Sequence, residues 1–166
     1  MKKSRMPDDR VVTAFKEACV RRNLRTTHQR LEIFRELSAT GEHPDAITIY
    51  RRVRKRIPTI SLDTVYRNLK LLAEYGLISI VGMSDERLRF DANMTRHHHF
   101  SCVRCGMIRD FYSVRLNALK MPEEAKAFGD TVSLHVEVKG VCDTCIAGKR
   151  GAVSRQGLRN TKGEAK

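Results

Sequence analysis

Ser61-Leu-Asp-Thr-Val-Tyr-Arg-Asn-Leu-Lys-Leu-Leu-Ala-Glu-Tyr-Gly76 is the stretch whose reading decides the fold. Leu62, Val65, Leu69 and Leu72 follow one another at spacings of 3, 4 and 3, which makes one buried stripe along a helix. Ser61 is placed to cap its start and Gly76 to end it. The opposite face presents Thr64, Tyr66, Arg67 and Lys70. Directly downstream, Leu77–Val81 and Arg87–Asp91 read as two strands around a turn at Gly82–Glu86.

Three further helices are expected upstream. The first starts at Asp9, sets Val12, Phe15 and Cys19 on one face and breaks at Asn23. The second follows Thr26-Thr27-His28-Gln29, where Thr26 and Gln29 have the spacing of a capping box, and buries Leu31, Phe34 and Leu37. The third is capped by Asp45 and runs to about Arg56, with Ala46, Ile49 or Tyr50, and Val53 turned inward. Short helices followed by a two-stranded hairpin form the pattern of a winged helix-turn-helix, in which one helix enters the DNA major groove. The exposed face of the Ser61–Tyr75 helix is the candidate reader. Arg67 and Lys70 suit phosphates or a guanine edge, and Tyr66 a base or a thymine methyl. A solvated helix face is the competing reading for any one of them.

Charge supports the DNA reading. The chain of 166 residues carries a net charge of +13. Residues 1–76 hold 17 Lys+Arg against 9 Asp+Glu, residues 77–147 hold 9 of each, and residues 148–166 hold 6 against 1. An anionic partner is therefore expected to meet the first half. No apolar run approaches the ~20 residues of a membrane span, and no apolar core follows the basic start as in a secretory signal. The cytosol is the expected compartment, where paired cysteines read as metal ligands before they read as disulfides.

The neutral middle holds Asp91-Ala-Asn-Met-Thr-Arg-His-His-His-Phe-Ser-Cys-Val-Arg-Cys-Gly-Met-Ile-Arg-Asp110. Cys102 and Cys105 form one CxxC unit, and Cys142 and Cys145 form another. Four thiolates can close a tetrahedral shell around zinc with no open position, which makes a structural site. A redox dithiol or a disulfide pair is the competing reading. The histidines suit a different ion. On a strand His97 and His99 share a face, and His98 points away from it, either outward or just outside the ligand set. With Asp91 and Asp110 folding in, two imidazoles and two carboxylates would suit Fe(II), Mn(II) or Zn(II), with room for one more group. Spacing does not supply that group, and a surface histidine cluster without a metal competes.

Beyond this stretch, His99–Ser101 and Met107–Phe111 are expected as a hairpin around the first CxxC. Residues 114–128 look helical, with Pro122 as an interruption. Thr131–Val141 alternates like a half-buried strand and delivers the chain to Cys142. Met1–Pro7 reads as a loose basic start, and residues 148–166 as a disordered basic tail.

These residues carry a resemblance over about residues 9–147. Arg25-Thr-Thr-His-Gln-Arg30, Glu42-His43-Pro44, Ser61-Leu-Asp-Thr-Val-Tyr-Arg-Asn-Leu69, Arg89-Phe-Asp91, His97-His-His99, Cys102-x2-Cys105-Gly and Gly140-Val-Cys-x2-Cys145 together resemble the ferric uptake regulator family. The resemblance implies an α+β fold. A winged helix-turn-helix DNA-binding domain (1–91) would precede a small α/β dimerisation and metal-binding domain (92–147) with a structural four-cysteine zinc site. It implies a homodimer that binds palindromic double-stranded operators and represses transcription when loaded with metal. It implies His43 as the fifth regulatory ligand, with Arg25, Ser61, Thr64, Tyr66, Arg67 and Lys70 as the DNA-facing set. Aspartate at both Asp91 and Asp110 resembles the family's peroxide-sensing branch, where bound Fe(II) oxidises a ligand histidine. By match, the oxidised residue is His43 or His97, and Mn(II) would permit repression without oxidation.

There are departures. His28 stands where the family usually has proline. Arg96 and Asn117 stand where iron-uptake members often have metal ligands, so two metals per chain are expected and His135 reads as a structural strand residue. An iron- or other metal-uptake regulator is the nearest alternative. A hydrolytic or oxygen-using metalloenzyme and a zinc-stapled nucleic-acid-binding module without sensing compete from outside the regulator class. No further acid, base or nucleophile clusters with the histidines, so an enzyme is not expected.

Overall fold

A computed structural model describes residues 9–84, 87–130, 134 and 136–148. The basic start, all but the first residue of the basic tail, and His135 lie outside the described residues. Four helices come first: α1 (Asp9–Arg21), α2 (His28–Ser38), α3 (Ala46–Val53) and α4 (Leu62–Glu74). A hairpin of β1 (Ser79–Ser84) and β2 (Arg87–Asp91) follows. Next come β3 (His98–Cys102), β4 (Ile108–Phe111), the short helices α5 (Val114–Asn117) and α6 (Glu123–Lys126), β5 (Glu137–Gly140) and α7 (Asp143–Ile146).

The apolar stripes converge as their spacing demands. Val12, Phe15 and Cys19 of α1 are buried, and Phe15 stacks on Phe34 of α2 at 3.9 Å between ring centroids. Val65, Leu69 and Leu72 of α4 meet Ile49 and Val53 of α3, and Leu77, Ile78 and Phe90 from the hairpin close the cluster. Gly76 has φ +60°. It ends α4 with paired bonds, Gly76 N–H to the Ala73 carbonyl and Leu77 N–H to the Leu72 carbonyl, a left-handed turn that glycine adopts without steric cost. This core lies wholly in the first part of the chain. The second part is thin, with a small cluster built on Cys102, Cys142 and Cys145.

Several expected boundaries move. Thr27, not Thr26, caps α2, its side chain accepting from Arg30 N–H. α3 ends at Val53 rather than near Arg56, and a turn follows. Gly82–Ser84, expected as turn, belong to β1, because the register slips between Ile80 and Gly82 and the strand continues past the irregularity. The expected helix over 114–128 is two single turns, neither with a buried residue. Its apolar positions find no face to cover, and Pro122 cannot continue a helix. Of the expected strand over 131–141, residues 131–133 and 135 lie outside the described residues, and β5 pairs parallel with β3.

Two carboxylates on α2, Glu32 and Glu36, are buried. Arg56, just past α3, meets Glu32 at 2.5 Å and Glu36 at 2.7 Å. Burial raises the Glu32 carboxyl, but hydrogen bonds from Arg56 and Arg35 outweigh it and hold the group below its ordinary value. This pairing therefore stabilises the fold above the unfolded glutamate range and is lost as pH falls through the lowered folded value. Arg56→Met should cost about 1–3 kcal/mol at pH 7, less than for a fully enclosed pair because Arg56 is 38% exposed. The loss should shrink at a second pH below the ordinary glutamate value of about 4.3, as Glu32 protonates through its lowered folded value. Urea unfolding of both proteins at the two pH values measures it, and equal stability at pH 7 would remove the ion pairs from the account.

Candidate metal centres

Cys102 ends β3, and Cys105 follows across a tight knuckle. Cys102 N–H donates to the Met107 carbonyl at 2.8 Å, and Gly106 N–H to the Cys102 carbonyl at 2.9 Å. Parallel pairing sets Cys102 opposite Gly140, so the chain leaving β5 arrives at Cys142 beside it. The backbone of β5 lies directly on the Phe100 ring. A Cβ on Gly140 would sit 2.8 Å from Phe100 Cε2, so any larger residue would have to push that ring aside. Cys142 opens α7 and Cys145 lies one turn along it.

The four sulfurs lie within 4.8 Å of one another, and all four are free thiols. Cys105 Sγ is 3.8 Å from Cys142 Sγ, the separation expected of sulfurs sharing a tetrahedral zinc at about 2.3 Å each. Burial raises the Cys102 thiol, yet N–H groups of Cys142, Cys105 and Arg104 overcome it and lower the group to about 6. Burial and the neighbouring sulfurs push Cys145 up to about 12. One thiolate is thus prepared by backbone donors, while another is strongly disfavoured as a free anion. A divalent cation resolves that conflict, since it stabilises all four in the thiolate form.

The second cluster joins distant segments. His43 sits in the loop between α2 and α3 with φ +49°, a conformation rare outside glycine. That loop is sewn to β2. Arg89 donates to the carbonyls of His43 and Glu42, and Phe90 N–H donates to the Pro44 carbonyl at 3.2 Å. Asp91, which ends β2, is thereby brought beside His43. From the other side, His99 on β3 and Asp110 on β4 are direct cross-strand partners. His97 precedes β3 and returns to the same face.

His43, Asp91, His97, His99 and Asp110 each offer one atom, all within 4.8 Å of one another. His43 Nε2 lies 2.8 Å from Asp110 Oδ1, and His97 Nε2 lies 2.9 Å from Asp91 Oδ2. His99 Nε2 is 3.5 Å from both carboxylate oxygens and 2.9 Å from His97 Nε2. Ligands sharing a metal at about 2.1 Å sit about 3 Å apart when adjacent and about 4 Å apart when opposite. Asp91 Oδ2, Asp110 Oδ1 and His43 Nε2 are buried without an aligned hydrogen bond among the described residues. The His97–Thr95 contact, 2.7 Å from ring Nδ1 to a carbonyl, requires the proton on Nδ1 and leaves Nε2 with its lone pair toward the cluster. Burial raises the Asp91 carboxyl, but the nearby His43 and His99 imidazoles and the Asn93 N–H hold it far below the usual carboxylate range. The donor set therefore fits one divalent ion held by nitrogen and oxygen.

His98 is absent from this cluster, and it is not outward. It is buried on the opposite face, with Nε2 3.1 Å from Asn117 Oδ1 and its ring against Phe111. The DNA-facing candidates are partly engaged. Ser61 caps α4 by accepting from Thr64 N–H at 3.1 Å. Tyr66 is exposed, Arg67 meets Asp63 at 3.2 Å, and Lys70 meets Glu74 at 3.9 Å, both pairs on the surface. Arg25 is exposed ahead of α2, and its carbonyl accepts from Arg30. Sequence reasoning missed Arg30 Nε, which donates to Asn68 Oδ1 and ties α2 to α4. It also missed the Arg89 clamp and the groups around Asn93. The quoted Arg89-Phe-Asp91 run was the available signal for the clamp.

Purified under reduction, the protein should hold one zinc per chain that survives mild chelation. Cys105→Ser should release it and lower the melting temperature. Elemental analysis with thermal unfolding checks both, and a folded zinc-free protein would reject the assignment.

Comparison with known proteins agrees with the geometry. The ferric uptake regulator family profile matches residues 21–138. The peroxide-responsive repressor PerR of Staphylococcus epidermidis is 33% identical over 122 residues, 74% of this chain and 81% of that protein. Among solved structures, a zinc-bound manganese uptake regulator is 31% identical with a TM-score of 0.58, covering 77% of this chain and 98% of the other. The Campylobacter jejuni peroxide stress regulator is 28% identical with a TM-score of 0.62, covering 81% and 98%. Among the described residues, no helix is long and apolar enough to cross a membrane. On that profile match the chain belongs to the ferric uptake regulator family, whose members are transcription regulators and not enzymes.

Proposed function

We propose that this regulator is a metal-dependent DNA-binding repressor that senses hydrogen peroxide through iron-catalysed oxidation of a ligand histidine. The observation that carries the reading is the regulatory donor set. Three imidazoles and two aspartates, with no thiolate, converge on one point. His43 and Asp91 come from the helical part and its hairpin, while His97, His99 and Asp110 come from the second part. The likeness to peroxide-responsive repressors at 33–34% identity supports it further. We place the domain boundary after Asp91, with residues 92–147 forming the dimerisation and metal-binding domain. Homodimer formation is supported by apolar side chains left uncovered there, with Val114 86% and Phe128 92% exposed.

In this reading Cys102, Cys105, Cys142 and Cys145 hold zinc permanently. The regulatory five hold Fe2+ or Mn2+ and lock the two domains at the angle that suits a palindromic operator, in the cytoplasm. Arg25, Ser61, Thr64, Tyr66, Arg67 and Lys70 face the double-stranded DNA. Metal that favours the DNA-binding arrangement must in turn be held more tightly when DNA is bound. Ferrous iron held by these five residues would mediate the electron transfer that cleaves the peroxide O–O bond, the two electrons coming in the end from the oxidised imidazole ring. In net terms, one peroxide oxygen ends on an imidazole carbon of His43 or His97, and the other leaves as water. The oxidised ring is a poor ligand, so the joint between the domains opens and DNA is released. The alternative within the family, an iron- or other divalent-metal-uptake regulator, is supported by the manganese uptake regulator likeness, and the donor set alone does not choose the metal.

DNA binding should be measured with Fe(II) and with Mn(II), each before and after stoichiometric peroxide. The Fe(II) form should release DNA and gain one oxygen on a peptide holding His43 or His97, while the Mn(II) form stays bound and unmodified. Unmodified peptides with DNA binding unchanged would favour the uptake regulator. His43→Ala should abolish metal-dependent DNA binding. If DNA binding survives at every metal level, the chain is a zinc-stapled DNA-binding module without a sensor.

A further inference from the structure

The segment between Asp91 and His97 is more than a connector. Asn93 N–H donates to Asp91 Oδ1 at 2.8 Å. Its side-chain amide donates to Asp110 Oδ2 at 3.2 Å and to the Tyr112 hydroxyl at 3.1 Å. Its amide oxygen accepts from Thr95, from the backbone N–H at 3.2 Å and from the hydroxyl at 2.5 Å. Both amide hydrogens and the amide oxygen are thus engaged. The Thr95 carbonyl accepts in turn from His97 Nδ1. Three of the five ligand side chains are therefore held from outside by residues 93–95.

The pattern on the carboxylates is specific. Each aspartate has one oxygen held by Asn93 and one oxygen left bare. The bare ones, Asp91 Oδ2 and Asp110 Oδ1, are the buried unpartnered atoms that face the imidazoles. A carboxylate with one oxygen committed to an outside donor binds a metal through the other alone. Five residues giving one atom each leave a sixth position of an octahedral ion for an outside molecule. If Asp110 turned to bind through both oxygens, it would fill that position.

We propose that Asn93, oriented by Tyr112 and Thr95, is the positioning residue that keeps Asp110 bound through one oxygen and so holds the sixth metal position open for a small oxygen ligand, water at rest and peroxide when present. The peroxide part rests on the function proposed above, while the open position does not. Asn93 touches neither the metal nor the peroxide and acts through Asp110. Asn93→Leu keeps the backbone N–H to Asp91 and removes the side-chain donors together with the amide oxygen that accepts from Thr95. Tyr112→Phe removes only the group that orients the amide.

The full chain, zinc-replete and loaded with Mn(II), should be studied by water-proton relaxation, which reads exchangeable water on the manganese. Wild type should show a strong enhancement per bound Mn(II). Asn93→Leu should reduce it to about half or less, with Tyr112→Phe intermediate, and Mn(II) affinity should change less than the roughly tenfold typical of lost outer hydrogen bonds. With Fe(II), histidine oxidation in Asn93→Leu should slow by about tenfold. Unchanged relaxation per bound Mn(II) in both variants overturns the proposal, whatever happens to affinity, because Asn93 would then support the site without setting how Asp110 binds. If Asn93→Leu does not fold, Tyr112→Phe decides by the same reading. If wild-type iron protein proves inert to peroxide, the sensing function fails, and the relaxation comparison still decides the role of Asn93.

Discussion

Two carboxylate oxygens, Asp91 Oδ2 and Asp110 Oδ1, are buried together with no aligned donor among the described residues, and the rest of the structure is arranged around that fact. An uncompensated buried carboxylate costs several kcal/mol. The groups nearest to them are three imidazole nitrogens, which relieve that cost only if they carry protons. The His97–Thr95 contact puts one of those protons on the wrong side of its ring. A divalent cation satisfies all five groups at once, which protons do not. The cluster is thus complete in charge only when loaded, and a bound ion would tie its two sides to each other.

That weakness between the parts is what the cysteine site avoids. The four sulfurs come from β3, its knuckle and α7, all inside the second part, and the parallel β3–β5 pair brings them together. With only a thin apolar cluster available there, a closed thiolate shell substitutes for a hydrophobic core. Two metal chemistries therefore divide along one line. Sulfur ligands within one unit make a staple. Nitrogen and oxygen ligands drawn from both units make a joint that can open.

Legibility in the sequence followed the kind of signal each feature leaves. The helices of the first part were readable because one stripe per helix is buried against a single core, and the caps at Asp45, Ser61 and Gly76 confirm local rules acting without interference. The second part was read less well. Its expected long helix rests on apolar residues such as Val114, Leu119 and Phe128 that stand exposed, so periodicity there had no core to report. In the regulatory cluster, alternation set His97 and His99 apart from His98, and the structure places those two beside Asp91 and Asp110 and His98 against Asn117, although His97 precedes β3. His43 came only from resemblance, since nothing local marks a loop histidine whose position depends on Arg89 far along the chain. Asn93 left no pattern at all: its role lies in the register that sets Asp110 opposite His99.

The split of ligands also bounds what the joint can do. His43 and Asp91 are already fixed to each other through the Arg89 clamp and the Phe90–Pro44 bond, so the helical part offers them as one rigid pair. His99 and Asp110 are likewise fixed as cross-strand partners. The ion then closes a single contact between two preformed halves, and the entropy lost on closure is that of one hinge rather than five side chains. Taking such an equilibrium from mostly open to mostly closed requires a differential affinity of about 10⁴-fold between the two arrangements. Loss of the whole His43/Asp91 half of the ligand set in the open arrangement is of the right kind to supply it. In the peroxide-sensing function proposed above, damage to one imidazole would then be enough to reverse the switch, since each half alone offers only part of the ligand set.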